Sequence, residues 1–280
     1  MIVTLAIPCF NGGATLAAVL EAAARLDPAP DERLLVDDGS TDGGAALAQR
    51  AGWLVVRHER NRGLAHARNT ALERARGDLV LFIDADARPH PQLVERLSRG
   101  YDDPTLAAVG GQVVEERGSA LPDRWRALFW RQTQGEERLE RAPFVVGACC
   151  SFRRQAALEV GGFSARFRTN GEDVELSGRL RRRGLRLAYD PGAQVFHERR
   201  DDLRSLLGMV YRHSRDQVLA LRAVGDSPAP VVGNALRWGP VTLVSSLRRH
   251  RSPGLAALSP LCYGASLAGC AAGMSAPLRG

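Results

Sequence analysis

Hydrophobic and polar positions alternate in blocks over the first hundred residues. Short apolar runs without strict alternation occupy residues 3–7, 33–36, 54–56 and 79–83, the pattern of strands buried on both faces of a parallel sheet. Between them, residues 15–25, 41–51 and 64–76 carry Leu and Ala at helical spacing, with Thr15 or Asp42 placed to cap a helix start. Strand and helix in turn predict right-handed crossovers and a doubly wound α/β sheet. After about residue 112 the pattern changes. A Trp- and Arg-rich helix is expected over 121–132, an apolar stretch over 144–152, a helix over 174–183 and a strand over 187–196 broken at Pro191-Gly192. A helix over 203–223 follows, and then mildly apolar segments at 231–244 and 255–274 interrupted by Pro and Gly.

In such sheets ligands bind beyond the carboxyl ends of the strands, where loops from several strands gather. The polar clusters fall there: Pro8-Cys9-Phe10-Asn11 after the first strand, Asp37-Asp38-Gly39-Ser40 after the second, Asp84-Ala85-Asp86 after the fourth. Asp84-x-Asp86 leaves a buried strand directly into a loop, as carboxylates that hold a divalent cation on a diphosphate must. A lone pair of this kind also arises as a solvated turn. Two adjacent carboxylates at Asp37-Asp38 repel each other unless a donor or cation compensates them.

The set Pro8-x-x-Asn11, Val36-Asp37-Asp38-Gly39-Ser40-Thr41-Asp42, Asn61-x-Gly63 with Ala67-Arg68-Asn69, and Asp84-x-Asp86 resembles the family 2 glycosyltransferases in order and spacing. The resemblance continues through Gly147, Arg153-Arg154, Gly161-Gly162-Phe163, Gly171-Glu172-Asp173-x-x-Leu176, Arg179, Gly184, Tyr189-x-Pro191 and His197, over roughly the first 200 residues. It implies a GT-A fold, a Rossmann-like, mostly parallel sheet flanked by helices. The expected GT-A domain is 1–225, with a nucleotide-sugar half at 1–115, an acceptor half at 116–225 and a helical tail at 226–280.

By the same resemblance Pro8, Asn11, Asp37 and Asp38 frame the nucleotide, with Arg68, Asn69 and Asp84 beside the donor. Asp84 and Asp86 hold Mg²⁺ or Mn²⁺, with His197 a further candidate ligand that reads equally well as a surface histidine. Asp173 is the expected catalytic base and Glu172 its supporting neighbour; as an isolated pair they read simply as favourable charge at a helix N-terminus. The implied reaction is inverting, metal-dependent transfer of a sugar from a nucleotide diphosphate to an acceptor hydroxyl. The acceptor is a glycan, a lipid-linked molecule or a small molecule, in the setting of cell-envelope glycan or glycolipid synthesis.

Composition adds less. The chain has 280 residues and a formal charge of +7, and every basic side chain is arginine, which fits a GC-rich genome as well as it fits an anionic partner. The arginine clusters at 179–183, 199–200 and 248–249 are separate, and no zinc or RNA-binding motif accompanies them, so nucleic acid is not an expected partner. An anionic membrane surface fits better, with Trp125, Phe129, Trp130 and Trp238 as candidate contacts. Residues 255–274 approach the length of a span but are diluted by Ser, Gly and Pro260, which favours a packed or interfacial helix. The five cysteines form no C-x-x-C pair, and the first residues read as a strand rather than a signal peptide. A cytoplasmic protein, peripheral on the inner face of the membrane, is the expectation. An NAD enzyme is disfavoured because Asn11-Gly12-Gly13 lacks G-x-G-x-x-G spacing. A sugar nucleotidyltransferase and an inactive nucleotide-sugar-binding protein stay as alternatives.

Overall fold

The computed structural model describes residues 1–116, 118–197 and 200–278; Arg199, part of one arginine cluster, and Glu198 lie outside them. Strand β1 (Val3–Cys9) leads to helix α1 (Gly13–Ala23), β2 (Glu32–Asp37) to α2 (Gly44–Arg50), and β3 (Leu54–Arg57) to α3 (Leu64–Arg74) and β4 (Leu79–Ile83). Then come β5 (Ala87–Pro89), α4 (Leu93–Leu97), β6 (Leu106–Glu115), α5 (Leu121–Phe129), β7 (Cys149–Arg153), α6 (Arg154–Glu159), α7 (Glu172–Arg182) and β8 (Arg186–His197). The chain ends in α8 (Leu203–Ala223), α9 (Ala229–Arg248) and α10 (Pro253–Ser275).

One eight-stranded sheet has the order β3-β2-β1-β4-β7-β6-β8-β5. β1 runs parallel to β2 and β4, and β2 to β3, as the alternating blocks predict. The later pairs differ from a purely doubly wound sheet: β7 is antiparallel to β4 and β6, and β5 to β8, so the sheet is mixed. Every residue of β1 and β4 is buried. Alternate residues enter separate cores, Leu5, Ile7, Leu81 and Ile83 on one face, Ala6, Val80 and Phe82 on the other, because side chains along a strand point to opposite faces. Each fully buried aliphatic side chain contributes about 1.5–3 kcal/mol, which is why these runs carry no polar residue in the middle.

Three local expectations change. β8 runs unbroken through Pro191-Gly192; Pro191 forfeits one donor, while the Asp190 Oδ1 accepts from the Gly192 amide at 2.8 Å and keeps the backbone satisfied. The N-cap positions of α1 and α2 are Gly12 and Gly43, not Thr15 or Asp42. Asp42 instead serves both helices from outside, accepting from the amides of Gly13 at 2.7 Å and Gly44 at 3.1 Å, while Thr15 donates to the Ala85 carbonyl at 2.9 Å.

The chain forms two compact units, residues 1–114 with 132–198, and residues 115–131 with 199–280. This division departs from an expected boundary after residue 225, since α5 and α8 pack with α9 and α10. The reason is a buried aromatic centre. Trp125 meets Phe129 and Trp238 at centroid distances of 5.7 and 5.1 Å, and Trp130 meets Trp238 at 5.4 Å. Beside them Arg126, itself buried, pairs with Glu115 at 2.9 Å and Asp201 at 3.0 Å. Of the aromatic residues expected at a membrane surface, Trp125 is wholly buried in the second unit, and Phe129, Trp130 and Trp238 are partly buried, packed on it or on each other.

Candidate active site

The first unit gathers its polar residues at the carboxyl ends of β1, β2 and β4. Asn11, in the left-handed region at φ 51°, is locked to the loop after β2: its amide donates to Ser40 Oγ at 2.9 Å, and its Oδ1 accepts from the Thr41 amide at 2.9 Å. Asp37 is buried; its Oδ1 accepts from the Ser40 amide at 2.8 Å. Its Oδ2 has no hydrogen bond, although Arg57 Nε lies 3.2 Å away. Gly39 holds φ 80°, and a side chain there would strike the backbone of Arg60, so the turn needs glycine.

Asp38 faces the protein interior. Its Oδ1 accepts from the Arg62 amide at 2.9 Å and lies 2.6 Å from His58 Nδ1, while its Oδ2 accepts from the Gly63 amide at 2.8 Å. His58 is anchored in turn to Thr70 at 2.9 Å. Asp38 thus fixes the loop that leads into α3. Asn69 is likewise committed: its Nδ2 donates to the Phe163 carbonyl at 2.8 Å and its Oδ1 accepts from the Phe163 amide at 2.7 Å. It orders the 161–163 loop.

Between these loops lies a cavity of about 230 Å³, lined by Pro8, Phe10, Asp38, Asn61, Gly63 and Arg168, among others. Phe10, half exposed, stands at its rim. Arg168 and Thr169 are lining residues that the sequence pattern did not single out, because they sit in an irregular loop without periodicity.

The ionisable centre lies at the end of β4. Arg68 on α3, only 2% exposed, pairs with Glu172 and donates to Asp84 Oδ1 at 3.1 Å. Its guanidinium lies 5.9 Å from the Phe82 ring centroid and 5.7 Å from that of Phe163, a cation–π setting. Gly147 makes room for it, since a methyl group at that position would overlap the guanidinium. Glu172 opens α7, which carries Asp173 and Glu175 in the same first turn and Arg179, Arg181 and Arg182 in the last, charges matched to the helix dipole.

The two α7 carboxylates differ in access. Glu172 is buried, and its carboxyl is pushed up by burial and by the adjacent Asp173, with Arg68 pulling the other way. Asp173 is partly exposed. Its Oδ2 accepts from the Gly147 amide and its Oδ1 from the Val174 amide, both at 2.8 Å, so the group is aimed but not enclosed. Asp84 is also held above the usual carboxylate range, by crowding out of water first and by Asp86 further, against the pull of Arg68. Asp86, 35% exposed, meets His197 Nε2 at 3.1 Å, a contact set by the pairing of Ala87 with His197 across β5 and β8. Sequence-predicted Asp84, Arg68, Glu172 and Asp173 thus meet around one guanidinium, with Asp86 and His197 paired at the neighbouring strand end.

Asp84 and Asp86 offer carboxylate oxygens, donors that suit Mn²⁺ or Mg²⁺, and His197 adds an imidazole nitrogen beside Asp86 that suits a transition ion better than Mg²⁺. Among the described residues no group of three or more His, Cys, Asp and Glu side chains is spaced to hold a metal ion unaided. Cys149 and Cys150 are fully buried in β7, where they pack into the two separate cores of the sheet.

Solved structures similar to this chain in fold include GT-A glycosyltransferases. The mannosyltransferase from Pyrobaculum calidifontis, solved with GDP-Man and Mn2+, superposes with a TM-score of 0.69 over 98% of this chain and 87% of its own, at 19% identity. The model of glycosyl transferase family 2 matches residues 4–161, and the chain belongs to that family. The pre-mycofactocin glycosyltransferase of Mycobacterium tuberculosis is 31% identical over 239 residues, spanning 81% of this chain and 50% of the relative. An N-acetylglucosaminyltransferase of Rhizobium is 29% identical over 248 residues, 79% of this chain and 54% of the relative. The chain spans about half the length of these curated relatives.

Proposed function

We propose that this glycosyltransferase moves a sugar from a nucleotide diphosphate to an acceptor hydroxyl with inversion, Asp173 acting as the base. The observation that carries the reading is the contrast on α7. Glu172 is sealed against Arg68, whereas Asp173 is held by two backbone amides and partly exposed beside the same cluster.

In this reading the nucleoside occupies the cavity between Pro8, Phe10 and Arg168. Asp37, whose buried Oδ2 has the Arg57 guanidinium 3.2 Å away but makes no hydrogen bond, accepts from a donor on the base or ribose. Asp84 and Asp86, with His197, are the residues that would hold Mg²⁺ or Mn²⁺; oxygens of the diphosphate would complete the shell. When bound, such an ion stabilises charge on a departing diphosphate. The Mn2+ in the solved mannosyltransferase and the Asp86–His197 donor pair support this assignment.

The acceptor hydroxyl gives its proton to Asp173 as its oxygen attacks the anomeric carbon. The bond from that carbon to the diphosphate oxygen breaks, and the nucleoside diphosphate leaves with the electron pair. A positioned carboxylate base contributes about 10²–10⁴-fold. Arg68, by pairing with both Asp84 and Glu172, keeps two carboxylates from repelling the incoming diphosphate. We further propose an envelope glycan or glycolipid acceptor.

The test is Asp173→Asn, nearly isosteric but unable to accept the proton. Thermal-shift titration with UDP-, GDP- and dTDP-sugars and Mn²⁺ identifies the donor through its mass-action stabilisation, and transfer is then followed with that donor. The variant is expected to bind donor as the wild type does and to lose transfer by about 10²-fold or more. Near-wild-type transfer would remove Asp173 from the role of base.

A further inference from the structure

The second unit carries a surface formed by none of the candidate site residues. Helix α9 turns Ala235, Gly239, Thr242 and Ser246 inward. These residues recur at helical spacing and are small, which brings α10 close: the Tyr263 ring lies against Gly239, where a methyl group would overlap it. Thr242 and Ser246 satisfy their hydroxyls on backbone carbonyls of α9 itself, Gly239 at 3.0 Å and Thr242 at 2.7 Å. The large aliphatic residues face outward instead. Leu236 is 55% exposed, Val241 63%, Val244 49% and Leu247 52%, with Leu243 also exposed. A helix on a water-facing surface has the opposite polarity, apolar stripe inward and polar face out, and contiguous exposed apolar surface marks an interaction site.

Charge narrows the partner. Residues 227–280 contain no Asp or Glu, and Arg237, Arg248, Arg249 and Arg251 are all exposed on or just beyond α9. A second copy of this chain meeting the same face about a two-fold axis would bring arginine towards arginine with no carboxylate from this region to answer it. A bilayer with anionic headgroups answers both features, giving the aliphatic side chains an apolar phase and the arginines phosphate partners. α10 is long and apolar enough to cross a membrane by length and composition. It nevertheless buries Leu255, Leu258, Cys262 and Gly269, with Leu255, Leu258 and Cys262 packed in one cluster with Trp125 and residues of α8, so its role is to support α9 from behind.

We propose that the outer face of α9 is a docking surface for an anionic lipid bilayer, the helix lying along the interface with Leu236, Leu243, Val244 and Leu247 in the acyl boundary.

The experiment is flotation of the full chain with phosphatidylcholine vesicles, with and without phosphatidylglycerol, at low and high salt. Neither donor nor acceptor is present, so the outcome is independent of the transfer chemistry. The wild type is expected to float with the anionic vesicles, less at high salt. Replacing Arg248 and Arg249 by Gln should weaken that binding about fivefold for each arginine removed. The variant Leu243→Gln with Val244→Gln and Leu247→Gln should lose flotation while its circular dichroism and melting temperature stay those of the wild type. Failure of the wild type to float would overturn the proposal, as would unchanged flotation of the folded apolar variant. Resistance of vesicle-bound protein to alkaline carbonate extraction would replace docking by a crossing. A wild-type dimer that the same aliphatic substitutions dissolve would assign the face to a second copy.

Discussion

Replacing Arg68 by Met removes the guanidinium but keeps a long unbranched chain between Phe82 and Phe163. The side chain is 2% exposed and pairs with Glu172, also 2% exposed, and with Asp84. Removing one partner of a buried pair costs about 3–5 kcal/mol, because the other charge stays buried without compensation. At about 2–4 °C per kcal/mol for a chain of this size, the melting temperature should fall by about 6–20 °C. Glu172 can escape part of that cost by taking up a proton. Its carboxyl is already raised in the folded protein, chiefly by burial, and a raised carboxyl loses stability as pH climbs from its unfolded value to its folded one. Without Arg68 the folded value rises further, so the variant goes on losing stability where the wild type has levelled off. Differential scanning fluorimetry between about pH 6 and about pH 9 should therefore show a deficit that widens with pH. Adding Glu172→Gln to the variant should recover part of the loss, since the fully buried carboxylate is then neutral and only the more exposed Asp84 is left without its partner. A drop of under about 2 °C, or a deficit that narrows as pH rises, would refute the account of Arg68 as the counter-ion of this site.

Other perturbations test separate parts of the structure. Gly147→Ala places a methyl group on the Arg68 guanidinium; overpacking of this kind costs about 1–3 kcal/mol, and chemical denaturation should show that loss together with reduced transfer. Glu32, buried, accepts from Thr4 Oγ1 at 2.7 Å, the Arg76 amide at 2.9 Å and Arg76 Nε at 2.8 Å. Burial alone would raise its carboxyl, but these donors outweigh it and hold it below the usual range. Its stabilisation is therefore present above the ordinary value of about 4.3 and lost as pH falls through the lower folded value. The melting difference between wild type and Glu32→Gln should be largest at neutral pH and shrink in acid. Asp86→Ala and His197→Ala should each raise the Mn²⁺ concentration needed for half-maximal donor-induced stabilisation, read by thermal shift; an unchanged requirement in both would move the ion elsewhere.

Much of the candidate site's placement was legible along the chain. The buried runs of β1, β2 and β4 and the turn residues that end them place Pro8, Asn11, Asp37 and Asp84 at one edge of the sheet, because strand period and turn chemistry are local. Roles within that edge were less legible. Asp38 lines the cavity and Asn69 stands in the motif nearby, yet their carboxylate and amide groups hydrogen-bond to His58 and to the 62–63 and 163 backbone. Which way a polar side chain turns depends on donors that arrive from other loops.

What the sequence determined by itself was the set of elements and the chemistry at their ends: short apolar strands too hydrophobic to face water, helices between them, and acidic turns where backbone runs out of ladder partners. What only the tertiary structure decided was who meets whom. Arg68 reaches Glu172 across 104 positions of chain, and His197 meets Asp86 only because β8 pairs with β5. The sidedness of α9 belongs to the same class, since a sequence of mildly apolar residues says that a helix forms, while the neighbours that cover one face and leave the other bare come from α10 and the folded second unit. Local free energies select conformations of short segments; burial and charge pairing select among ways of bringing those segments together, and that choice is made only when the whole chain has packed.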